Sequence, residues 1–251
     1  MEIVILHFKI LFAALFLLCL SYFLGEFSTF SFPKSSKVKK RAPRKGMISL
    51  LSIDPATLSE RENYKFLIGS IIPRPIAFVT TLSKDGVLNG APFSYFNIVS
   101  SNPPMISLSI QRREGQHKDT ARNIIESKEF VIHIVDEQNV EKINQTAASL
   151  PPHQSEIEIA QLTPVESVKV SVPGVKEAKI RMECLLEHSL ELGGVDSPGC
   201  DLLIGRIVQF HIEQDIYEKG RIDSKGLAAV SRLAGNNYAK IGEVFEIERP
   251  N

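Results

Sequence analysis

The residues of this chain best suited to chemistry are cations and hydroxyls able to hold an anion, and they fall in three stretches. Arg74 stands between two prolines in Ile72-Pro73-Arg74-Pro75-Ile76, ahead of Phe78-Val79-Thr80-Thr81. Proline fixes the backbone on either side, and a stiffly held guanidinium suits bidentate contact with a phosphate. A surface Arg in a turn would have the same sequence. The second stretch, Asn89-Gly90-Ala91-Pro92-Phe93-Ser94-Tyr95-Phe96-Asn97-Ile98-Val99-Ser100-Ser101-Asn102-Pro103-Pro104, reads as long and irregular, yet too apolar for a solvated loop. It can offer main-chain groups to a flat heterocycle, or it can be a packed connection whose aromatics are core. In the third, Gln111-Arg112-Arg113-Glu114-Gly115-Gln116-His117-Lys118-Asp119-Thr120 leads into a helix at Ala121. Cations, a hydroxyl and a helix N-terminus converge there, which makes an anion site by charge and dipole together. Lys-Asp-Thr is also an ordinary helix start.

These residues need a scaffold, and the scaffold reads as strands. Asp54-Pro55 and Ser59-Glu60 open a short helix or turn. Ile76–Leu82 is β-branched and aromatic, and Ser83-Lys84-Asp85-Gly86 then turns it back as a hairpin, because Asp-Gly tolerates the positive φ such turns need. Met105–Ile110 alternates, with Ile106, Leu108 and Ile110 on one face and Ser107 and Ser109 on the other. Phe130–Val135, Lys179–Leu192, Leu202–Ile212 and Glu243–Ile247 complete the expected strands. Helices are fewer. Asp119 or Thr120 can cap one through Ala121, Ile124 and Ile125, and Asp136 can cap another carrying Val140, Ile143 and Ala147. Many short strands with a few interspersed helices describe a mainly β, antiparallel barrel with α insertions. The βα alternation and GxGxxG turn of a dinucleotide-binding sheet are missing.

At 43% hydrophobic and 23% charged the chain is ordinary globular material, but its zero net charge hides an asymmetry. Residues 1–46 hold eight Lys/Arg and two Glu. Taking these from the totals of 29 each leaves 21 basic and 27 acidic residues for 47–251, a net of −6. An acidic body argues against non-specific nucleic-acid binding, which depends on neutralising phosphates. Ile10–Leu24 is an uncharged apolar run somewhat short of the ~20 residues that span a bilayer. Residues 1–46 therefore read in two ways: a mis-assigned start ahead of a true one at Met47, or a membrane anchor. In the anchor reading, the basic run Lys34–Lys45 keeps residues 47–251 in the cytoplasm. Both readings give a cytoplasmic body.

Cys184 and Cys200 lack metal spacing and read as free thiols. His133 reads as a satisfied core histidine. His153, His188 and His211 suggest no metal, and Glu183, Glu187 and Glu191 read as a solvated face.

In order and content, PRPIAFVTT, NGAPFSYFNIVSSNPP, the serine-faced strand and KDTARNI resemble the flavin reductase-like family, with its antiparallel, Greek-key type FMN-binding split barrel. The resemblance runs from about Ser52 to the C-terminus. Ser231-Arg232-Leu233-Ala234-Gly235-Asn236-Asn237-Tyr238 is similar to the family's closing segment, although Ala234 and Asn236-Asn237 replace a more glycine-rich version and His117 stands where relatives carry a small residue. The resemblance implies that Lys118, Asp119 and Thr120, with Arg74, Thr80 and Thr81, surround the FMN phosphate. It places Ser109, Gln111 and Arg112 along the ribityl chain, Ser94, Tyr95, Phe96 and Asn97 around the isoalloxazine, and Arg232 and Tyr238 against the flavin.

It further implies a homodimer, with NADH or NADPH as co-substrate and hydride passing directly to the flavin. Reduced flavin or electrons would then go to a partner such as a monooxygenase. No catalytic acid, base or nucleophile is expected. The alternatives it leaves are a flavoredoxin-like electron carrier without nicotinamide turnover, and a barrel that binds flavin without redox cycling.

Overall fold

The computed structural model describes residues 50–148, 150–151 and 153–250. The apolar run at Ile10–Leu24 and the basic run at Lys34–Lys45 lie outside the described residues. Within them, no helix is long and apolar enough to cross a membrane. Asp54–Asn251 forms one compact unit, and all that follows concerns it.

Asp54 caps a single 3-10 turn by accepting from the Ala56 amide (2.9 Å). Ser59 and Glu62 then form a reciprocal capping box that starts helix α1 (Glu60–Ser70). The body is antiparallel sheet: β1 (Ala77–Leu82), β2 (Leu88–Phe93), β3 (Phe96–Ser101), β4 (Pro104–Gln111), then after helix α2 (Asp119–Ser127) β5 (Glu129–Ile134). Helices α3 (Val140–Gln145) and α4 (Glu156–Ile159) precede the 13-residue strands β6 (Ile180–Leu192) and β7 (Cys200–Ile212). The seven strands run in the order β2-β1-β5-β6-β7-β4-β3. β8 (Val230–Arg232) pairs with the two-residue strand Arg74–Pro75 on one side and with β9 (Tyr238–Lys240) on the other.

This order forces closure. β2 and β3 are the two edges of the sheet, yet only Ser94 and Tyr95 separate them in the chain. A flat sheet would hold those edges roughly 29 Å apart at ~4.8 Å per strand, whereas the three residue steps from Phe93 to Phe96 reach about 10 Å. The sheet must curl until its edges meet, and the Ser109 amide donating to the Tyr95 carbonyl (2.9 Å) extends the β3–β4 ladder into the two-residue link. The Asn89–Pro104 stretch is thus two edge strands rather than an irregular loop. Its small and polar residues are poor strand formers, and pairing with β1 and β4 overrides that preference.

Alternation sorts the side chains. Ala77 and Val79 of β1 join Ile106, Leu108, Ile110, Phe130, Ile132 and Leu203 in one core, while Ile76 and Phe78 pack on the opposite face with Ile143 and Ile157. β1 is therefore buried on both faces, which explains its unbroken apolar run. Gly205 in β7 leaves room for Phe130, since a Cβ there would lie 2.3 Å from the Phe130 ring. The turn at Asp85-Gly86 closes as expected, with Gly86 at φ +78°.

Two further expected features differ. Residues 243–247 form no strand; Phe245 and Ile247 are exposed, and nothing in the sheet pairs with them. Glu183 is not on a solvated face. It is fully buried and accepts hydrogen bonds from the Val168 (2.7 Å), Lys169 (2.6 Å) and Val170 (3.2 Å) amides and from His211 Nε2 (2.5 Å). β6 carries bulges opposite β7, so the regular spacing of its acids does not keep them in one environment.

His133 is a satisfied core residue. The Val175 amide can only donate, so Nε2 accepts (2.9 Å) and Nδ1–H donates to the Phe78 carbonyl (3.0 Å). That tautomer is neutral, and burial pushes its pKa down from 6.5 to about 3. The unfolded chain thus binds the extra proton first. Stability from this group is complete above about pH 6.5 and falls toward pH 3 by about 1.4 kcal/mol per pH unit. Denaturant melts of wild type and His133→Gln between pH 7 and 4 check this. The variant should be less stable at pH 7 yet show a shallower acid slope; equal slopes would refute the assignment.

Candidate functional site

A cavity of about 450 Å³ opens at the N-terminus of α2. Asn89, Pro92 and Phe93 of β2 form one wall, Arg113 to Thr120 another, and Thr146 to Ala148 with Glu156 a third. A smaller cavity of about 150 Å³ is lined by Ser94, Asn144, Arg232 and Tyr238. Pro92, Phe93 and Ala147 line both, so the two adjoin and together make a two-part trough, with a cationic helix terminus at one cavity and an aromatic–guanidinium pair at the other. Their combined size falls within the ~300–1,000 Å³ usual for small-molecule sites.

The cationic end is built by α2. Its N-cap is Lys118, in extended conformation, and no side chain caps the first turn. Backbone N–H groups with no intrahelical partner therefore open toward Lys118 and Arg113, a donor set that suits a phosphate. Asp119 is drawn aside by Arg122. Thr120 is buried, and its hydroxyl donates to Asn89 Oδ1 (2.9 Å). Thr81 Oγ1 also donates to Asn89 Oδ1 (3.3 Å) and accepts from Asn123 Nδ2 (3.1 Å), while Asn89 Nδ2 donates to Glu156 Oε2 (2.9 Å). The carboxylate fixes which way the Asn89 amide faces, and that commits the Thr120 proton. Lys118, Asp119 and Thr120 are thus brought together as expected, but the Thr120 side chain backs the cradle and its backbone faces it.

At the other end, the Arg232 guanidinium stacks 4.4 Å from the Tyr238 ring centre and donates to the Gly235 carbonyl (2.8 Å). Tyr238 Oη donates to Asn144 Oδ1 (2.8 Å). Ser94, Arg232 and Tyr238 meet here as expected, and Asn144 at the end of α3 holds the ring.

Several expected ligands have other tasks. Arg74 is only 6% exposed and donates to the carbonyls of Ile68 (2.8 Å), Ile71 (2.6 Å) and Leu233 (2.9 Å) and to Ser94 Oγ (3.5 Å). Its fork is used on the backbone, so it is a tie between α1, β2 and the closing segment, not a phosphate clamp. Thr80 is buried and donates to the Pro173 carbonyl (2.8 Å), away from the trough. Thr81 lies behind it.

Arg112 does not line the trough either. It donates to Asp201 Oδ1 (2.7 Å) and pairs with Glu191 (2.7 Å), while His117 Nδ1 meets Asp201 Oδ2 (2.9 Å). His117, Glu191 and Asp201 have ligand atoms within 4.8 Å of one another, the spacing of a cation site, and the Arg112 guanidinium is the cation that sits among them. Burial opposes the charge on Asp201, but Arg112 and His117 outweigh it and hold the carboxyl below its usual range.

Ser109 and the exposed Gln111 line neither cavity. The Tyr95 carbonyl is spent on β4, accepting from the Ser109 amide. Phe96 and Asn97 face a separate apolar cavity of about 380 Å³, with Met105, Met182, Ile207 and Phe210. The two-residue link at Ser94-Tyr95 carries the chain to the opposite edge, so residues before and after it serve different surfaces. Arg113 and Asn89 lie in stretches singled out in the sequence but without a ligand role of their own, whereas Glu156 and Asn144 were not legible as site residues. Glu156 and Asn144 belong to short helices with no signature of their own.

Residues 68–226 match the family described as the flavin reductase like domain, and the chain belongs to it. The chain is 54% identical over 199 residues to the uncharacterized protein YwrF of Bacillus subtilis, covering 77% of this chain and 96% of that protein. It is similar to the crystal structure of nitrilotriacetate monooxygenase component B from Bacillus cereus, with 63% identity, a TM-score of 0.79, and 80% and 100% of the two chains covered. A flavin reductase with a split barrel domain from Shewanella frigidimarina, 22% identical with TM-score 0.68 over 78% and 96% of the chains, shares the fold. The mainly antiparallel split barrel and a flavin-linked oxidoreductase role are those of this family.

Proposed function

We propose that the trough holds FMN and that the protein is an NAD(P)H-dependent flavin reductase. The observation that carries this is a pair of adjoining cavities that share Pro92, Phe93 and Ala147, with a phosphate-type donor set at one and a ring–guanidinium pair at the other. Lys118, Arg113 and the first-turn amides of α2 would hold the phosphate. Pro92, Phe93 and Ala147 would flank the chain that joins phosphate to ring, and Ser94, Arg232, Tyr238 and Asn144 would orient the ring system.

A bound flavin supplies the redox chemistry, accepting a hydride equivalent and releasing electrons. The chain's own residues bind, orient and shield. Tyr238 is fixed at both its ring and its hydroxyl, so it presents a set surface rather than a proton donor. The likeness to a monooxygenase component B favours an oxygenase as the electron acceptor; a homodimer remains the expectation drawn from the sequence resemblance.

The test is direct. The purified protein should carry or take up FMN with a yellow chromophore, and anaerobic NADH or NADPH should bleach it. Absence of flavin binding would overturn the reading. Flavin bound but not bleached by either nicotinamide would leave an electron carrier without nicotinamide turnover.

A further inference from the structure

Glu156 occupies a position at odds with an anion cradle. It is the first residue of α4, is buried, and lines the larger cavity with Lys118, Asp119 and Thr120. Its Oε2 accepts from Asn89 Nδ2 (2.9 Å) and the Gly90 amide (3.3 Å). Among the described residues, no other residue donates to Oε1. Only the Asn89 carboxamide separates this carboxylate from the Thr120 hydroxyl, a span of roughly 6–8 Å for two hydrogen bonds and one amide. Glu156 and the start of α2 line the same cavity, and like charges in one protein cavity oppose each other's ionisation.

Taking the flavin phosphate to lie at the start of α2, we infer that its binding is coupled to uptake of one solvent proton by Glu156. The carboxylate becomes a neutral carboxyl, with the proton on Oε1, because Oε2 already faces two donors. The other charged groups lining the cavity are Arg113, Glu114, His117 and Lys118 from the loop before α2, and Asp119 from α2; β2 and the 146–150 segment contribute none among the described residues. Neither Lys118 nor Arg113 pairs with Glu156 among the described residues, so an anion held by these cations adds negative charge to a cavity in which the carboxylate has only neutral donors. Burial already raises the Glu156 carboxyl above its usual range, against the hydrogen bonds from Gly90 and Asn89, and the nearby Asp119 pushes the same way, as an arriving anion would.

FMN and riboflavin, which lacks the phosphate, should be titrated into wild type and Glu156→Gln between pH 6 and 8.5. At pH 7 the variant should bind FMN about tenfold tighter than wild type and show a flatter pH profile. Riboflavin should bind both proteins equally. Calorimetry in two buffers of different ionisation heat should show proton uptake by wild type with FMN and none with riboflavin.

An unchanged FMN-to-riboflavin ratio in Glu156→Gln, or weaker FMN binding, overturns the inference. So does absence of proton uptake by wild type, a measurement that needs no variant to fold. His117→Gln should keep the uptake; losing it there would assign the proton to His117 and overturn the role of Glu156. Equal wild-type affinity for FMN and riboflavin would instead refute the phosphate position, leaving the two failures distinguishable.

Discussion

Replacing Lys118 with alanine is expected to weaken FMN binding by about 10- to 100-fold while leaving riboflavin binding nearly unchanged. A hydrogen bond to a charged group contributes about 1.5–3 kcal/mol, and each 1.4 kcal/mol is tenfold in affinity. The Lys118 ammonium is exposed at the mouth of the cavity, which places its effect in the lower part of that range. Fluorescence titration with both flavins measures it. Equal losses for FMN and riboflavin would mean that Lys118 shapes the fold rather than holding the phosphate. Thr120→Val is the contrasting variant. Its hydroxyl proton is committed to Asn89, so the valine should lower stability and leave the FMN-to-riboflavin ratio near the wild-type value.

Arg74→Ala is expected to destabilise the flavin-free protein by about 3–5 kcal/mol. Three backbone carbonyls lose their donor at once, and an unsatisfied buried acceptor costs about 1–3 kcal/mol. For a domain of this size each kcal/mol lowers the melting temperature by about 2–4 °C, so the drop should exceed about 6 °C. Arg74→Lys should rescue little, because one ammonium cannot reach carbonyls on α1 and beyond β8 in the geometry of a planar fork. Differential scanning calorimetry without flavin decides the matter. A wild-type melt together with lost FMN affinity would return Arg74 to the phosphate.

The contrast between these residues shows how far pattern reading extends. Lys118 was legible because an N-terminal helix turn is a local object: its amides, its dipole and its flanking side chains all lie within a few residues. The hairpin at Asp85-Gly86 and the alternation of Ile106, Leu108 and Ile110 are local in the same sense. Arg74 misled because rigidity and exposure are different properties. Pro73 and Pro75 stiffen the backbone, but whether the guanidinium meets a ligand or carbonyls depends on where α1 and Leu233 lie, and Leu233 is 159 residues away. The acids of β6 misled for a related reason, since bulges set by pairing with β7 put Glu183 in the interior.

The amino-acid sequence by itself determined the mainly antiparallel architecture, the helix start that can receive an anion, and the closing segment that carries Arg232 and Tyr238. The first two follow from short-range rules of turn chemistry, side-chain alternation and helix polarity, and the closing segment from its resemblance to the family's own. Only the tertiary structure decided which residues share a trough. Curling of seven strands brings β2 beside α2 and α4, and turns Phe96 and Asn97 toward a different cavity. It also places Glu156 behind Asn89, 67 residues apart in the chain. Contacts of that range depend on strand order and register, and no local pattern of residues encodes them.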